Sequence, residues 1–90
     1  MAEVAIKLKI MPESLETDLE EIQKKGKEKI EAEQGRLNNF ETQEVAFGLK
    51  ALIATISLDE EKGTDTAEKI FSEIEGVSSV EIIDYRRAIG

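Results

Sequence analysis

The chain has 90 residues, with 12 basic and 20 acidic side chains for a net charge of −8, and it contains neither histidine nor cysteine. That length predicts one domain, residues 1–90, with no room for a large cofactor cavity beside its core. The charge disfavours direct nucleic-acid binding, which needs a basic stripe, and the missing residue types remove imidazole bases, thiolate nucleophiles, disulfides and the usual zinc, haem and iron–sulfur ligands.

In chain order, Val4, Ile6, Leu8 and Ile10 alternate with Ala5, Lys7 and Lys9. Period two predicts a strand with one apolar face. The segment lacks the continuous apolar block of a secretion signal, and no run nears the ~20 residues of a membrane span. A mature, cytoplasmic start is therefore expected, with no membrane partner. Pro12, which cannot donate to a ladder, ends the strand. Leu15, Leu19, Ile22, Gly26 and Ile30 then recur at helical spacing among Glu and Lys residues. Ser14 or Thr17 is the expected cap, the latter with Glu20 at capping-box spacing. Gly26 on the apolar stripe suggests close packing against a sheet, and Gly35 is the expected stop.

Residues 36 to 47 are more polar and predict an edge strand, where charge discourages edge-to-edge pairing. Leu49 to Leu58 is apolar on both alternations and predicts a central strand, with Gly48 marking the turn or bulge before it. After the turn at residues 59 to 63, Asp65 with Glu68 offers a second helix start, and Ala67, Ile70, Phe71 and Ile74 form its stripe. Gly76 ends that helix. Val77 to Arg86 is a last strand, followed by a tail from Arg87 to Gly90. The order βαββαβ with right-handed crossovers predicts an α+β, ferredoxin-like sandwich: a four-stranded antiparallel sheet in order 4-1-3-2, with both helices on one face. The most apolar strands then become central.

No calcium-loop or phosphate-loop motif is present, so no cofactor and no metal are expected. Chance pairs of carboxylates are common among twenty acidic residues and do not make an enzyme. An RNA-recognition domain with this topology would need exposed aromatics on its central strands, which are missing after Phe47. A regulatory ligand-binding or oligomerisation domain of the same class stays open as an alternative, because fold alone does not fix function.

Four stretches narrow the choice: Met11-Pro12-Glu13-Ser14, Ala46-Phe47-Gly48-Leu49-Lys50-Ala51-Leu52, Asp59-Glu60-Glu61-Lys62-Gly63-Thr64-Asp65, and Val77-Ser78-Ser79-Val80-Glu81-Ile82 leading to Tyr85-Arg86-Arg87. In this order and at this length, the chain resembles the archaeal translation elongation factor 1-beta family and the C-terminal exchange domain of its eukaryotic counterpart. The resemblance implies a guanine nucleotide exchange factor, without bond chemistry of its own, for the GTPase elongation factor 1-alpha. It further implies that Phe47 is an aromatic wedge and that a C-terminal basic residue, Arg87 or its neighbour Arg86, approaches the partner's magnesium and phosphates. The eukaryotic pattern carries lysine there, and arginine is larger and planar. Lys50 and Tyr85 join the expected partner surface, and the free chain is expected to be a monomer. On residue type alone, Phe47 also fits a core aromatic, and the two arginines fit solvated tail charges.

Overall fold

The alternation at the N-terminus produces β1 (Glu3–Pro12), whose Val4, Ile6, Leu8 and Ile10 are fully buried. The computed structural model describes residues 3–45 and 48–87. After β1 come α1 (Leu19–Ala32), β2 (Arg36–Glu44), β3 (Lys50–Asp59), α2 (Gly63–Ser72) and β4 (Val77–Arg87). The sheet is antiparallel in the order β2-β3-β1-β4, as the apolar character of β1 and β3 predicts. Leu52, Ala54, Ile56 and Leu58 of β3 lie opposite the β1 set and share its face. Ile22 and Ile30 of α1, and Ala67, Ile70 and Phe71 of α2, pack onto that face in one core. Each buried Val, Leu, Ile or Phe side chain of this core contributes roughly 1.5–3 kcal/mol by leaving water.

Several boundaries differ from the sequence reading, each for a local reason. Asp18, rather than Ser14 or Thr17, caps α1: its Oδ1 accepts from the backbone N–H of Glu20 at 3.0 Å and of Glu21 at 3.4 Å. Ser14 and Thr17 instead stitch the preceding turn, where the Ser14 N–H donates to Thr17 Oγ1 at 3.1 Å and the Glu16 N–H to Ser14 Oγ at 3.2 Å. Leu15 therefore sits outside the helix and off the core.

At the far end of α1 the left-handed residue is Gln34, at φ 65°. Its N–H donates to Glu31 O at 3.0 Å and that of Gly35 to Ile30 O at 2.9 Å, the pairing of a Schellman motif. Gly35 serves a different need, since a Cβ there would stand 2.5 Å from Leu58 Cδ2 and 2.7 Å from the Ser57 carbonyl oxygen. Gly26 does mark a close approach, but to the other helix rather than to the sheet: a Cβ would meet Phe71 Cε1 at 2.4 Å.

The second helix begins two residues before Asp65 and has no side-chain cap; the Thr66 hydroxyl donates back to Lys62 O at 2.7 Å. Asp65 lies in the first turn, where its charge suits the helix dipole. Arg87, read as tail, is the last residue of β4 and pairs with Val4.

Candidate functional site

The expected partner residues that the structure describes, Lys50, Tyr85, Arg86 and Arg87, fall at two ends of the sheet. β1 runs antiparallel to both β3 and β4, so β3 and β4 run the same way. Lys50 starts β3 at the end where Pro12 pairs with Val77. Arg86 and Arg87 finish β4 at the opposite end, beside Ala5 and Val4. Eight residue-to-residue steps along β3 lead from Lys50 to Leu58, which at about 3.4 Å per step is roughly 27 Å.

At the first end, β2 and β3 are joined by a hairpin in which the Val45 N–H donates to Leu49 O at 2.9 Å. Gly48 takes φ 78°, a left-handed conformation that favours glycine. Phe47, the expected wedge, lies outside the described residues, and so does Ala46. Lys50 pairs with Glu44 across the hairpin and is exposed. Pro12, Leu15, Leu19, Leu49 and Lys50 help to line a recess of about 240 Å³ here. Leu15 lies at its rim, 67% exposed on the stitched turn. The recess is below the roughly 300–1,000 Å³ of ordinary small-molecule sites.

At the second end, the pairing of β1 with β4 decides where the side chains go. Leu8 pairs with Ile82 and Lys7 with Asp84, so Ile83 is an extra residue in β4. This bulge moves Tyr85 and Arg87 to the side of Ile6 and Val4, the helix-bearing face. Arg86 pairs with Ala5 and lies on the open face. The two arginines are thus neighbours in sequence and opposed in space. Tyr85 is 47% exposed rather than packed into the core. Arg86 Nε donates to Asp84 Oδ2 at 3.1 Å, while Arg87 Nη2 donates to Glu60 Oε1 at 2.5 Å.

A residue not singled out from the sequence joins them. Arg36 opens β2 opposite Ser57, Ser57 lies opposite Ala5, and Ala5 opposite Arg86, so the two arginines share one row of the open face. The chain's three arginines therefore gather at this end, and each holds a carboxylate; for Arg36 it is Glu3, at 3.1 Å. Pairing across three strand junctions brings them together, and no local spacing in the sequence signals it.

Among the described residues no polar or charged side chain is buried, and no three acidic residues converge as metal ligands. Among the described residues, no helix is long and apolar enough to cross a membrane. What the geometry offers is exposed apolar side chains and cations on a four-stranded sheet, a surface for contact.

Comparison with known proteins fits such a surface. Residues 5–88 match the family model described as the EF-1 guanine nucleotide exchange domain. Among archaeal relatives, the chain is 46% identical to elongation factor 1-beta of Methanosarcina acetivorans over 88 residues, covering 97% of this chain and 99% of that one. It is 44% identical to elongation factor 1-beta of Metallosphaera sedula, covering 97% of each chain. With the Methanothermobacter thermautotrophicus protein of the same name it shares 42% identity, over 97% of this chain and 98% of that one. With the match running through every strand and helix of the sandwich, the chain belongs to the elongation factor 1-beta guanine nucleotide exchange family.

Proposed function

We propose that residues 1–90 act as a single exchange domain that promotes GDP release and GTP loading on the GTPase elongation factor 1-alpha. The observation that carries this reading is the exchange-domain match over residues 5–88, together with relatives similar along nearly their whole length. The chain supplies contacts and makes or breaks no covalent bond.

Exchange needs each ligand of the GTPase to weaken the other, a reciprocal coupling. Thousandfold faster release corresponds to about 4 kcal/mol of differential interaction. In this proposal Phe47 wedges into the GTPase from the β2–β3 hairpin, and Lys50 flanks it. At the other end of the sheet, Tyr85 and the arginines Arg86 and Arg87 face the partner. An arginine close to the partner's magnesium and phosphates competes electrostatically with the metal. Of the two, Arg87 is favoured, because it ends β4 and its carboxylate partner comes from a different element, whereas Arg86 is held by Asp84 of its own strand.

The test is the rate at which labelled GDP leaves elongation factor 1-alpha when this chain is added with excess GTP. Release is expected to accelerate in proportion to the chain until saturation. An unchanged rate, with both proteins shown to be folded, would remove the proposal.

A further inference from the structure

Arg87 is not free to act: its guanidinium rests on Glu60 of the turn between β3 and α2, 2.5 Å away. The bulge at Ile83 makes this contact, by turning Arg87 to the helix-bearing face. A guanidinium paired with a carboxylate is close to neutral as seen by a distant charge, so it competes poorly with a magnesium ion for phosphate oxygens. To act on the nucleotide site it must first leave Glu60. We propose that Glu60 is a positioning residue that parks Arg87 in the free chain, and that its release limits how readily the exchange complex forms. This rests on the exchange-factor reading above.

The two side chains are 66% and 37% exposed, so the pair is a surface salt bridge. Such pairs stabilise by at most about 1 kcal/mol, which is roughly a fivefold preference for the parked state. When only a fraction of the chain is competent, the apparent affinity falls by that fraction, while the fully bound complex is unaffected. The parked arginine thus raises the concentration of chain needed for half-maximal exchange and leaves the maximal rate unchanged. Being a surface pair, it is also weakened by salt.

The neighbouring residue supplies the control. Glu61 carries the same charge and is exposed, while its backbone N–H is the group that bonds Asp59 Oδ1, at 2.9 Å. Glu61→Gln removes one negative charge beside the pair without removing the parking group.

The experiment is GDP release from elongation factor 1-alpha, titrated with wild type, Glu60→Gln, Glu61→Gln, Arg87→Gln and the Glu60→Gln/Arg87→Gln double variant. Melting curves establish that each is folded. Glu60→Gln is expected to lower the half-saturating concentration about two- to fivefold with an unchanged plateau. Glu61→Gln is expected to match wild type, and the double variant to match Arg87→Gln. The proposal is overturned if Glu60→Gln leaves the half-saturating concentration unchanged or raises it, if Glu61→Gln lowers it equally, or if the Glu60→Gln gain survives without Arg87. Inactive wild type would reject the exchange reading itself; active wild type with any of those three results rejects only the role of Glu60.

Discussion

Gly26→Ala sets helix propensity against packing, and the structure decides between them. In an isolated helix the alanine would stabilise by about 1 kcal/mol. Here its Cβ would lie 2.4 Å from Phe71 Cε1, 3.1 Å from Cζ and 3.3 Å from Cδ1. Carbon atoms rest at about 3.5–4.0 Å, so the ring has to move by more than an ångström. Phe71 is fully buried, in one core with Ile22, Ile30 and Ile70, and in a close-packed interior it moves only by displacing its neighbours. Overpacking of this kind costs about 1–3 kcal/mol, and the closeness of the contact places it at or above the top of that range. The net expectation is a loss of about 2 kcal/mol or more. For a domain of this size, about 2 kcal/mol lowers Tm by about 8–16 °C. Thermal unfolding followed by circular dichroism measures it. In a Phe71→Leu background the ring carbons are gone, so the alanine should lose most of its penalty and the two changes should couple by at least about 1 kcal/mol. A Gly26→Ala chain as stable as wild type, or additive changes at the two positions, would refute the helix-to-helix packing argument.

The other expectations are smaller and separable. Asp18→Ala should cost about 1 kcal/mol through loss of the α1 cap, and Ser14→Ala distinctly less, because the Ser14 hydroxyl serves only the exposed turn; denaturant melts of the two variants compare them. Gln34→Gly should stabilise by up to about 1 kcal/mol, since a left-handed φ strains glutamine and not glycine, and a lowered urea midpoint would count against that. Phe47→Ala should impair GDP release far more than it changes Tm if the ring is the exposed wedge of the proposed function. A large fall in Tm with it would return Phe47 to the core.

The elements that bury one face were legible in the sequence, because burial writes a period. Val4, Ile6, Leu8 and Ile10 alternate since every second side chain of β1 faces the helices, and the doubly apolar β3 is central because Ala51 and Ile53 are covered on its other face as well. Termini were harder. Asp18, Thr17 and Ser14 all carry cap chemistry, and which one serves depends on where the turn beginning at Glu13 anchors; there the Glu13 N–H donates to Gly76 O, 63 residues away in sequence. The orientation of the C-terminal arginines was the least legible feature. Strict alternation continued from Val80 and Ile82 would send Arg86 toward the helices and Arg87 to the open face. One extra residue, Ile83, reverses that assignment, and only its pairing with β1 reveals it.

This reversal ties the separate parts of the proposed surface together. Lys50 lies on the same side of β3 as Leu52, the helix-bearing side, and after the bulge so do Tyr85 and Arg87 on β4. Were the alternation of Val80 and Ile82 unbroken by the bulge, the arginine at position 87 would face away from the side on which Lys50 stands. A protein interface of ordinary size covers about 800 Å² on each partner, a patch roughly 30 Å across. The roughly 27 Å between the ends of the sheet fits within one such patch. In the proposed complex, then, a single GTPase surface meets the hairpin at one edge and Arg87 at the other, at a spacing that the backbone ladders of β3, β1 and β4 hold fixed. Because Lys50 and Arg87 stand on strands of one hydrogen-bonded sheet, the two contacts are interdependent in the proposed complex: docking the hairpin sets where Arg87 arrives, and the remaining freedom is whether the guanidinium has left Glu60.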